Sequence, residues 1–338
     1  MQSNFAIHDV AGQVDDALST EIQSFWETHG FAGAEAQDRL AEVVCVLRDG
    51  GGAIAGVSSA FSADVPVVGG RRFWVFRSLL PGAAAAERPA MISATFAALD
   101  AAFDGAAEAP VGLCVLLDDE QRRARPHAEW ADPRMIYAGY LADGRQVRVA
   151  YFDQACIAPG KPRDGAGHPL GDGLRIEPFA EQDVVSEQDV IDLWLREGVL
   201  AADEAERRVG ELHLVGIDAE NRPAGVTTAY LQRSEQLRTP MWHYRAFVSE
   251  AHRQSVLATW LAVRGREVLE ERFRSGDDTR APGVIYEVEN EFLKTYFPKA
   301  HWLPTDFLYI GDSPVGAHVR VHWFAGALAP GPEGQGST

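Results

Sequence analysis

Between residues 247 and 261 the sequence FVSEAHRQSVLATWL changes from a strand-like to a helix-like pattern. Its apolar, partly β-branched start stops at a polar break over residues 249–251. Further on, apolar side chains recur at spacings of three, four and seven residues, which is typical of an amphipathic helix. These side chains are Leu257, Trp260, Leu261, Val268 and Leu269. The pattern predicts a strand that runs directly into a long helix.

The turn between this predicted strand and helix carries Arg253. The first N–H groups of a helix have no partner inside the helix, and the positive end of the helix dipole lies behind them. Such a turn can therefore bind an anion, and an arginine adds a cation to it. The alternative interpretation is an ordinary connection with a solvated arginine.

An internal repeat relates the two halves of the chain. Residues 25–44 resemble residues 193–212 at a shift of 168, the strand AGVSSAF at 55–61 resembles AGVTTAY at 224–230 at a shift of 169, and residues 130–152 resemble residues 302–324 at a shift of 172. The changes in shift fall between elements, so the repeat indicates a duplication. Each half reads as strand, helices, β-rich middle, strand into helix, and a final group of strand, helix and strand. This order predicts an α/β (α+β) plan of two tandem domains, each with a mixed sheet and flanking helices.

The repeat also places the domain boundaries. We expect an N-terminal domain over residues 1–157 and a C-terminal domain over residues 174–330. Residues 158–173, APGKPRDGAGHPLGDG, are rich in Pro and Gly and predict a linker. Residues 331–338 predict a disordered tail.

Composition narrows the class of partner. The chain has 31 Lys plus Arg against 49 Asp plus Glu, a formal net charge of −18. This balance argues against a nucleic-acid partner and favours a cationic or amine partner. The sequence has no run of about 18 apolar residues and no basic, signal-like start. We therefore expect no membrane partner and a cytoplasmic protein; the wealth of Ala, Gly and Arg suggests a bacterial genome.

Cysteine and histidine spacings give no metal-binding pattern. Cys45, Cys114 and Cys156 lie far apart, and we interpret them as buried core thiols. Histidines such as His243 are scattered, and no pair has helical ligand spacing, so we expect no metal.

The layout resembles the GCN5-related N-acetyltransferase (GNAT) superfamily, duplicated in tandem, with mostly antiparallel sheets. In that family the turn after the strand reads Arg or Gln, two residues, Gly, one residue, then Gly or Ala, and its N–H groups hold the pyrophosphate of coenzyme A. Residues 253–258 fit this motif, except that Val256 stands where the family has Gly. In the first half the matching position is predicted to be Pro81, which donates no N–H. The first half is therefore expected to be a degenerate copy.

The resemblance implies acetyl-CoA or another acyl-CoA as a substrate, bound by the second half. The residues that it assigns to this site are Phe247, Val248, Arg253, Gln254, Ser255, Val256, Leu257, Ala258 and Asn290.

Carboxylates in the segment GVIYEVENEF are the candidate catalytic groups. Transfer of an acyl group from a thioester to an amine needs a group that takes the amine proton and an acid for the leaving thiolate. Strand alternation places Glu287 and Glu289 on one face. At a shift of 172 they correspond to Val115 and Leu117, so the first half is apolar where the second is charged.

Tyr296 is the candidate acid in the segment that resembles the family's CoA-facing Asn and thiolate-protonating Tyr. Counting back from Trp302, however, places the usual tyrosine position at Phe297.

These features predict an acyl-CoA-dependent N-acyltransferase that acts on a small amine, with its chemistry in the second half. Two alternatives stay open. One is an aminoacyl-tRNA-dependent transferase with a GNAT-like fold, which the negative charge disfavours. The other is a non-catalytic binding or scaffold protein with eroded acyl-CoA sites. The acceptor, the acyl length and the oligomeric state are not determined by the sequence.

Overall fold

The structure is a computed structural model of the chain, and it describes residues 4–106, 108–160, 169–171, 173–253 and 255–333. The chain divides into two compact units, Met1–Ile157 and Ala158–Thr338. The predicted linker and tail lie partly outside the described residues, at 161–168, 172 and 334–338, and they stay predictions.

The first unit contains strands and helices in the duplicated order. Its strands are β1 (Ala6–Asp9), β2 (Val43–Arg48), β3 (Ile54–Val65), β4 (Arg71–Leu79), β5 (Gly112–Leu117), β6 (Glu129–Ala131), β7 (Arg134–Tyr140) and β8 (Gln146–Tyr151). Its α-helices are α1 (Asp16–Thr28), α2 (Ala34–Arg39), α3 (Arg88–Ala101) and α4 (Asp119–Ala124).

The second unit repeats this order. Its strands are β9 (Arg175–Pro178), β10 (Leu212–Ile217), β11 (Pro223–Ser234), β12 (Thr239–Val248), β13 (Gly283–Val288), β14 (His301–Trp302), β15 (Phe307–Asp312) and β16 (His318–Trp323). Its α-helices are α5 (Glu187–Arg196), α6 (Ala202–Arg208), α7 (Leu257–Ser275) and α8 (Glu291–Tyr296).

Each unit is built on one sheet, which has eight strands in the described part of the chain. The strand order is β1-β2-β3-β4-β5-β8-β7-β6 in the first unit and β9-β10-β11-β12-β13-β16-β15-β14 in the second. Neighbouring strands run antiparallel except at β4–β5 and β12–β13, which are parallel. The predicted fold class, with two mixed, mostly antiparallel sheets and flanking helices, is confirmed.

Helices cover both faces of the second sheet. Helix α5 starts at a capping box between Ser186 and Asp189, and its apolar side packs with Val226 and Phe247. Helix α7 packs on the opposite face, with Trp242, Tyr244 and Tyr286. The predicted stripe of α7 is buried at Leu257, Leu261, Val268 and Leu269, whereas Trp260 is half-buried. Alternate residues of β12 and β13 therefore face different helices.

The strand registers correct two sequence equivalences between the halves. Gly112 pairs with Tyr151 and Gly283 pairs with Trp323, so β5 and β13 correspond at a shift of 171 (283 − 112 = 171), not 172. Glu287 consequently corresponds to Leu116 rather than to Val115, and the predicted pairing of Glu289 with Leu117 is wrong. Glu289 lies beyond the end of β13 at Val288, which corresponds to the end of β5 at Leu117, so the apolar-to-charged contrast holds for Glu287 alone.

The turn after β4 needs a similar correction. Trp74 and Trp242 occupy the same place in the parallel pairs, a shift of 168, and this shift makes Ala85 the counterpart of Arg253. Pro81 corresponds instead to Ser249, because both residues precede the 3₁₀ helix that follows the strand. The first half thus carries neither Arg nor Gln at this position.

The cysteine interpretation is partly wrong. Cys45 and Cys114 are buried, whereas Cys156 is exposed. Burial raises the pKa of the Cys45 thiol to about 11 and that of Cys114 to about 12. In the part of the chain that the structure describes, no helix is long and apolar enough to cross a membrane.

Candidate functional site

A wedge opens between β12 and β13 in the second unit. The two strands pair only from Trp242–Val284 to Tyr244–Tyr286, although β12 continues to Val248 and β13 to Val288. Beyond Tyr244 the strands lose their backbone pairing, so their main-chain groups are available to a ligand that enters between them. The strand-to-helix turn that the sequence singled out follows directly from the open end of β12.

The turn consists of a short 3₁₀ helix, Glu250–His252, and a second bend before α7. Val256 has φ −82°, in the range that any L-residue adopts, so the backbone does not require glycine there. Several N–H groups of the turn already bond internally: Arg253 to the Glu250 carbonyl at 3.3 Å, Ser255 to the His252 carbonyl at 3.0 Å, and Leu257 to Ser255 Oγ at 3.2 Å. A pyrophosphate would have to replace these bonds or use the remaining donors.

The Glu197 carboxylate lies beside Arg253, the cation of this turn. Glu197 caps the C-terminal end of α5, and its Oε2 accepts a hydrogen bond from the Glu250 N–H at 3.1 Å and lies 3.5 Å from Arg253 Nη2. Its side chain is 14% exposed, against 54% for Arg253. Arg253 Nε also points toward the Val248 carbonyl, at 3.4 Å. The predicted anion-binding arginine is therefore already paired with a carboxylate of its own chain.

A small apolar cavity of about 60 Å³ lies between the start of α7, β13 and α8. Its lining includes Ala258, Tyr286, Leu293, Phe297 and Trp302. Phe297 and not Tyr296 lines this cavity, whereas the Tyr296 ring lies against Phe292, with the centroids 4.1 Å apart. Burial raises the pKa of Tyr286 to about 12, so its phenol stays protonated at neutral pH.

Strand β13 brings Glu287 to the sheet face that α5 covers, close to His243 of β12. His243 Nδ1 lies 3.7 Å from Glu287 Oε1, and the side chains are 9% and 41% exposed. Burial, aided by the charge of Arg245, lowers the pKa of His243 to about 4. The histidine is thus neutral at pH 7 beside an ionisable carboxylate.

Glu289 and Asn290 do not share this strand, contrary to the predicted alternation. β13 ends at Val288, because Asn290 is the N-cap of α8 and its side chain accepts hydrogen bonds from the N–H groups of Phe292 and Leu293. The carboxamide oxygen of Asn290 is thus committed to the helix start. Asp118 caps α4 in the first unit, so Asn290 is the structural counterpart of Asp118 and Glu289 is an extra residue before the cap.

The other predicted site residues lie along one path. Phe247 and Val248 end β12, Ser255 and Val256 form the bend, and Leu257 and Ala258 begin α7. Gln254 lies outside the described residues. The sequence analysis missed Glu197 as a neighbour of the turn and His243 as a neighbour of Glu287. No sequence signal indicated Glu197, because its contact spans 53 residues.

Among the described residues, no group of three or more His, Cys, Asp or Glu side chains could hold a metal ion.

Comparisons with known proteins return structures only: no family model matches this sequence, and no curated protein matches it. A GNAT-family N-acetyltransferase from Escherichia coli in complex with CoA is 18% identical with a TM-score of 0.32, over 47% of this chain and 85% of that chain. The ribosomal-protein-S5-alanine acetyltransferase from Vibrio fischeri is 8% identical with a TM-score of 0.32, over 46% of this chain and 96% of that chain. An aminoglycoside acetyltransferase from an uncultured soil sample, in complex with trehalose, is 16% identical with a TM-score of 0.24, over 30% and 72%.

Identities and TM-scores this low leave the activity open. Each unit does contain the strand that runs into a helix on which the sequence resemblance was based, and in each unit this strand pairs in parallel with the strand that follows the helix.

Proposed function

We propose that the chain is an acyl-CoA-dependent N-acyltransferase that acts on a small amine, with its chemistry in the second unit. The observation that carries this proposal is the wedge: β12 and β13 pair over three positions and then part, where β12 turns into α7. A thin, partly polar chain such as the pantetheine arm fits between two strands because it can use their unpaired backbone groups.

The residues at the turn match the anionic pyrophosphate of coenzyme A in part. Arg253 supplies a cation that is more than half exposed, and α7 provides the positive end of a 19-residue helix. Glu197 and the internal hydrogen bonds of the turn oppose this fit. Arg253, with the N–H groups of the bend and of Ala258, would hold the pyrophosphate of coenzyme A.

Glu287 is the residue that supports transfer to an amine. An ammonium acceptor must lose a proton before its nitrogen can attack the thioester carbonyl. In that step the proton passes to a carboxylate, the C–N bond forms, the C–S bond breaks, and the thiolate takes up a proton. Glu287 is a carboxylate on the α5-side face, 41% exposed and close to the end of β13. It is thus accessible to an acceptor.

One observation favours the second candidate, a binding protein with eroded acyl-CoA sites. The Glu197 carboxylate pairs with Arg253, so the turn is electrostatically satisfied without a ligand.

Calorimetry with acetyl-CoA separates the two candidates. The full chain is expected to bind acetyl-CoA and to lose roughly tenfold or more in affinity on Arg253→Ala, equivalent to about 1.4 kcal/mol or more. Arg72→Ala is the matched control, because Arg72 is a surface arginine of the first unit that pairs with Asp64. Absence of any heat with acetyl-CoA and with longer acyl-CoAs would contradict the transferase.

A further inference from the structure

The two units share one arrangement of charged side chains. It lies on the sheet face that α5 covers in the second unit and on the corresponding face in the first. In the first unit Arg77 pairs with Glu42 and lies over the Phe61 ring, 4.4 Å from its centroid. In the second unit Arg245 Nη1 lies 2.9 Å from Glu211 Oε2, and its guanidinium lies 4.0 Å from the centroid of the Tyr230 ring. Because both copies keep this trio, the arginine and its carboxylate belong to the common scaffold.

Three positions differ between the units: the aromatic ring of this trio and two positions beside it. The cross-strand pair Phe61–Val75 of the first unit is equivalent to Tyr230–His243 of the second. In the same way Leu116 of β5 is equivalent to Glu287 of β13, because their partners on β8 and β16 correspond. The first unit has apolar residues and the second has polar ones; the matched pairs are Phe61 with Tyr230, Val75 with His243, and Leu116 with Glu287. A change from apolar to polar at three adjacent positions distinguishes a site that only the second unit has.

His243 contacts both of the other polar side chains. The rings of Tyr230 and His243 have centroids 5.2 Å apart, and His243 Nδ1 lies 3.7 Å from Glu287 Oε1. All three lie on the same face of the sheet, since Tyr230 pairs with His243 and Glu287 lies two residues after Ile285, the partner of His243 on β13.

His243 Nε2 is a buried atom with no hydrogen-bond partner among the described residues. The imidazole is more than nine-tenths buried, with 9% of the side chain exposed. Leaving such a group unsatisfied destabilises the folded state, a cost that Val75 avoids in the first unit. A ligand that bonds to Nε2 would remove this cost.

The groups that Glu287 and His243 present to a ligand are hydrogen-bond acceptors, so they favour a ligand that donates hydrogen bonds. The Glu287 carboxylate beside Nδ1 favours the tautomer with the proton on Nδ1, which leaves a lone pair on Nε2. Arg245 is neutralised by Glu211. Among the described residues the Glu287 carboxylate has no Arg or Lys within ion-pair distance. This carboxylate and the imidazole lone pair together match an ammonium group, which has several N–H donors and no acceptor.

We propose that Tyr230, His243 and Glu287 form an amine-binding subsite that takes a protonated primary amine through Nε2 of His243 and the carboxylate of Glu287. The assignment of this amine as the acyl acceptor rests on the function proposed above. The amine gives one proton to Glu287 before its nitrogen attacks, while His243 holds a second N–H and fixes the direction of the lone pair.

Histidine NMR tests this subsite without acyl-CoA. The probes are two amines, phenethylamine and 1,4-diaminobutane. The control probe is 3-phenylpropionate, which has the same phenylethyl group as phenethylamine but carries a carboxylate in place of the ammonium group. The ring signal of His243, assigned from its absence in His243→Val, is expected to shift saturably with an amine and not with the carboxylate. The signal of His213, whose Nε2 lies 3.0 Å from the Gly265 carbonyl in the same unit, should stay in place.

The variants are the residues that the first unit already holds at these positions. Glu287→Leu should abolish the shift of His243, and Tyr230→Phe should keep most of it, because the ring remains. No shift of His243 with either amine, an equal shift with 3-phenylpropionate, or an unchanged shift in Glu287→Leu would overturn the subsite.

Failure of the subsite and failure of the proposed function give different results. If acetyl-CoA does not bind but the amine shift is present, the transferase is wrong and the amine site stands. If acetyl-CoA binds and acetylation of an amine proceeds equally well in His243→Val, the subsite is wrong and the transferase stands. The subsite predicts a higher KM for the amine in His243→Val, by tenfold or more, with the affinity for acetyl-CoA unchanged.

Discussion

His243 occupies in the second unit the place that Val75 holds in the first. Each stands second in the short parallel pairing, opposite Ile285 and Cys114 respectively. The same sheet position therefore holds a hydrocarbon in one copy and a buried imidazole in the other. This difference bears on stability as well as on binding.

Stability should depend on pH through His243. Its pKa is about 4 in the folded chain because of burial and of Arg245, below the 6.5 of an unperturbed histidine. Above about pH 6.5 both states are neutral and the full stability is present; as the pH falls toward 4 the unfolded state takes up a proton first, and up to about 3 kcal/mol is lost.

Urea unfolding at about pH 7.5 and about pH 5 checks this dependence. The His243→Val variant should lose less stability on acidification than the parent chain, and its free energy of unfolding near neutral pH should be equal or higher. An identical loss in both proteins would show that His243 titrates normally.

Replacing Glu197 should strengthen acyl-CoA binding. Glu197→Gln removes the charge that pairs with Arg253 at 3.5 Å but keeps an oxygen for the Glu250 N–H. Partly exposed ion pairs contribute about 0.2–1 kcal/mol, so the Kd for acetyl-CoA should fall by a factor of about 1.4 to 5 in calorimetry.

The control for this change is Asp192→Asn. Asp192 lines the same cleft as Glu197 but bonds to Gln188 Nε2, at 2.8 Å, so this variant changes the net charge equally and leaves Arg253 paired. Weaker or unchanged binding in Glu197→Gln would show that the carboxylate does not compete with the ligand.

Glycine is required where β13 begins. A Cβ on Gly283 would lie 2.6 Å from the carbonyl oxygen of His322, and one on its counterpart Gly112 would lie 2.0 Å from that of Ala150. Because both obstacles are backbone atoms, Gly283→Ala should lower the free energy of unfolding by about 1–3 kcal/mol. Gly210→Ala, where a Cβ meets nothing within 4 Å, should change it by under about 0.5 kcal/mol in the same denaturant titration.

The fold could be predicted from the sequence because the duplication shows each strand and helix pattern twice. The strand that feeds a helix at residues 247–261, the matched strands at 55–61 and 224–230, and the periodic stripe of α7 are local patterns set by backbone geometry. Each predicted a real element, and together they predicted two copies of one plan.

The fine register could not be read from sequence. Matching Trp130 with Trp302 gives a shift of 172, which does not hold in β5 and β13. Only the pairing of Gly112 with Tyr151 and of Gly283 with Trp323 shows that the second unit has one residue more between β13 and β16 than the first has between β5 and β8. A slip of one residue turns a side chain to the other face. Glu287 keeps its contrast with the first unit because its true counterpart Leu116 is also apolar, whereas Glu289 lies beyond β13 and has no counterpart in β5.

By itself the sequence determined the duplicated plan, the net charge of −18 and the position of the Arg253 turn, since these follow from local spacing and composition. Only the tertiary structure decided what surrounds them. The contacts of Glu197 with Arg253, of His243 with Glu287 and of Tyr230 with His243 join residues that are 56, 44 and 13 positions apart in the chain (253 − 197 = 56; 287 − 243 = 44; 243 − 230 = 13). Such contacts form when strands pair and helices dock, and no local pattern encodes them.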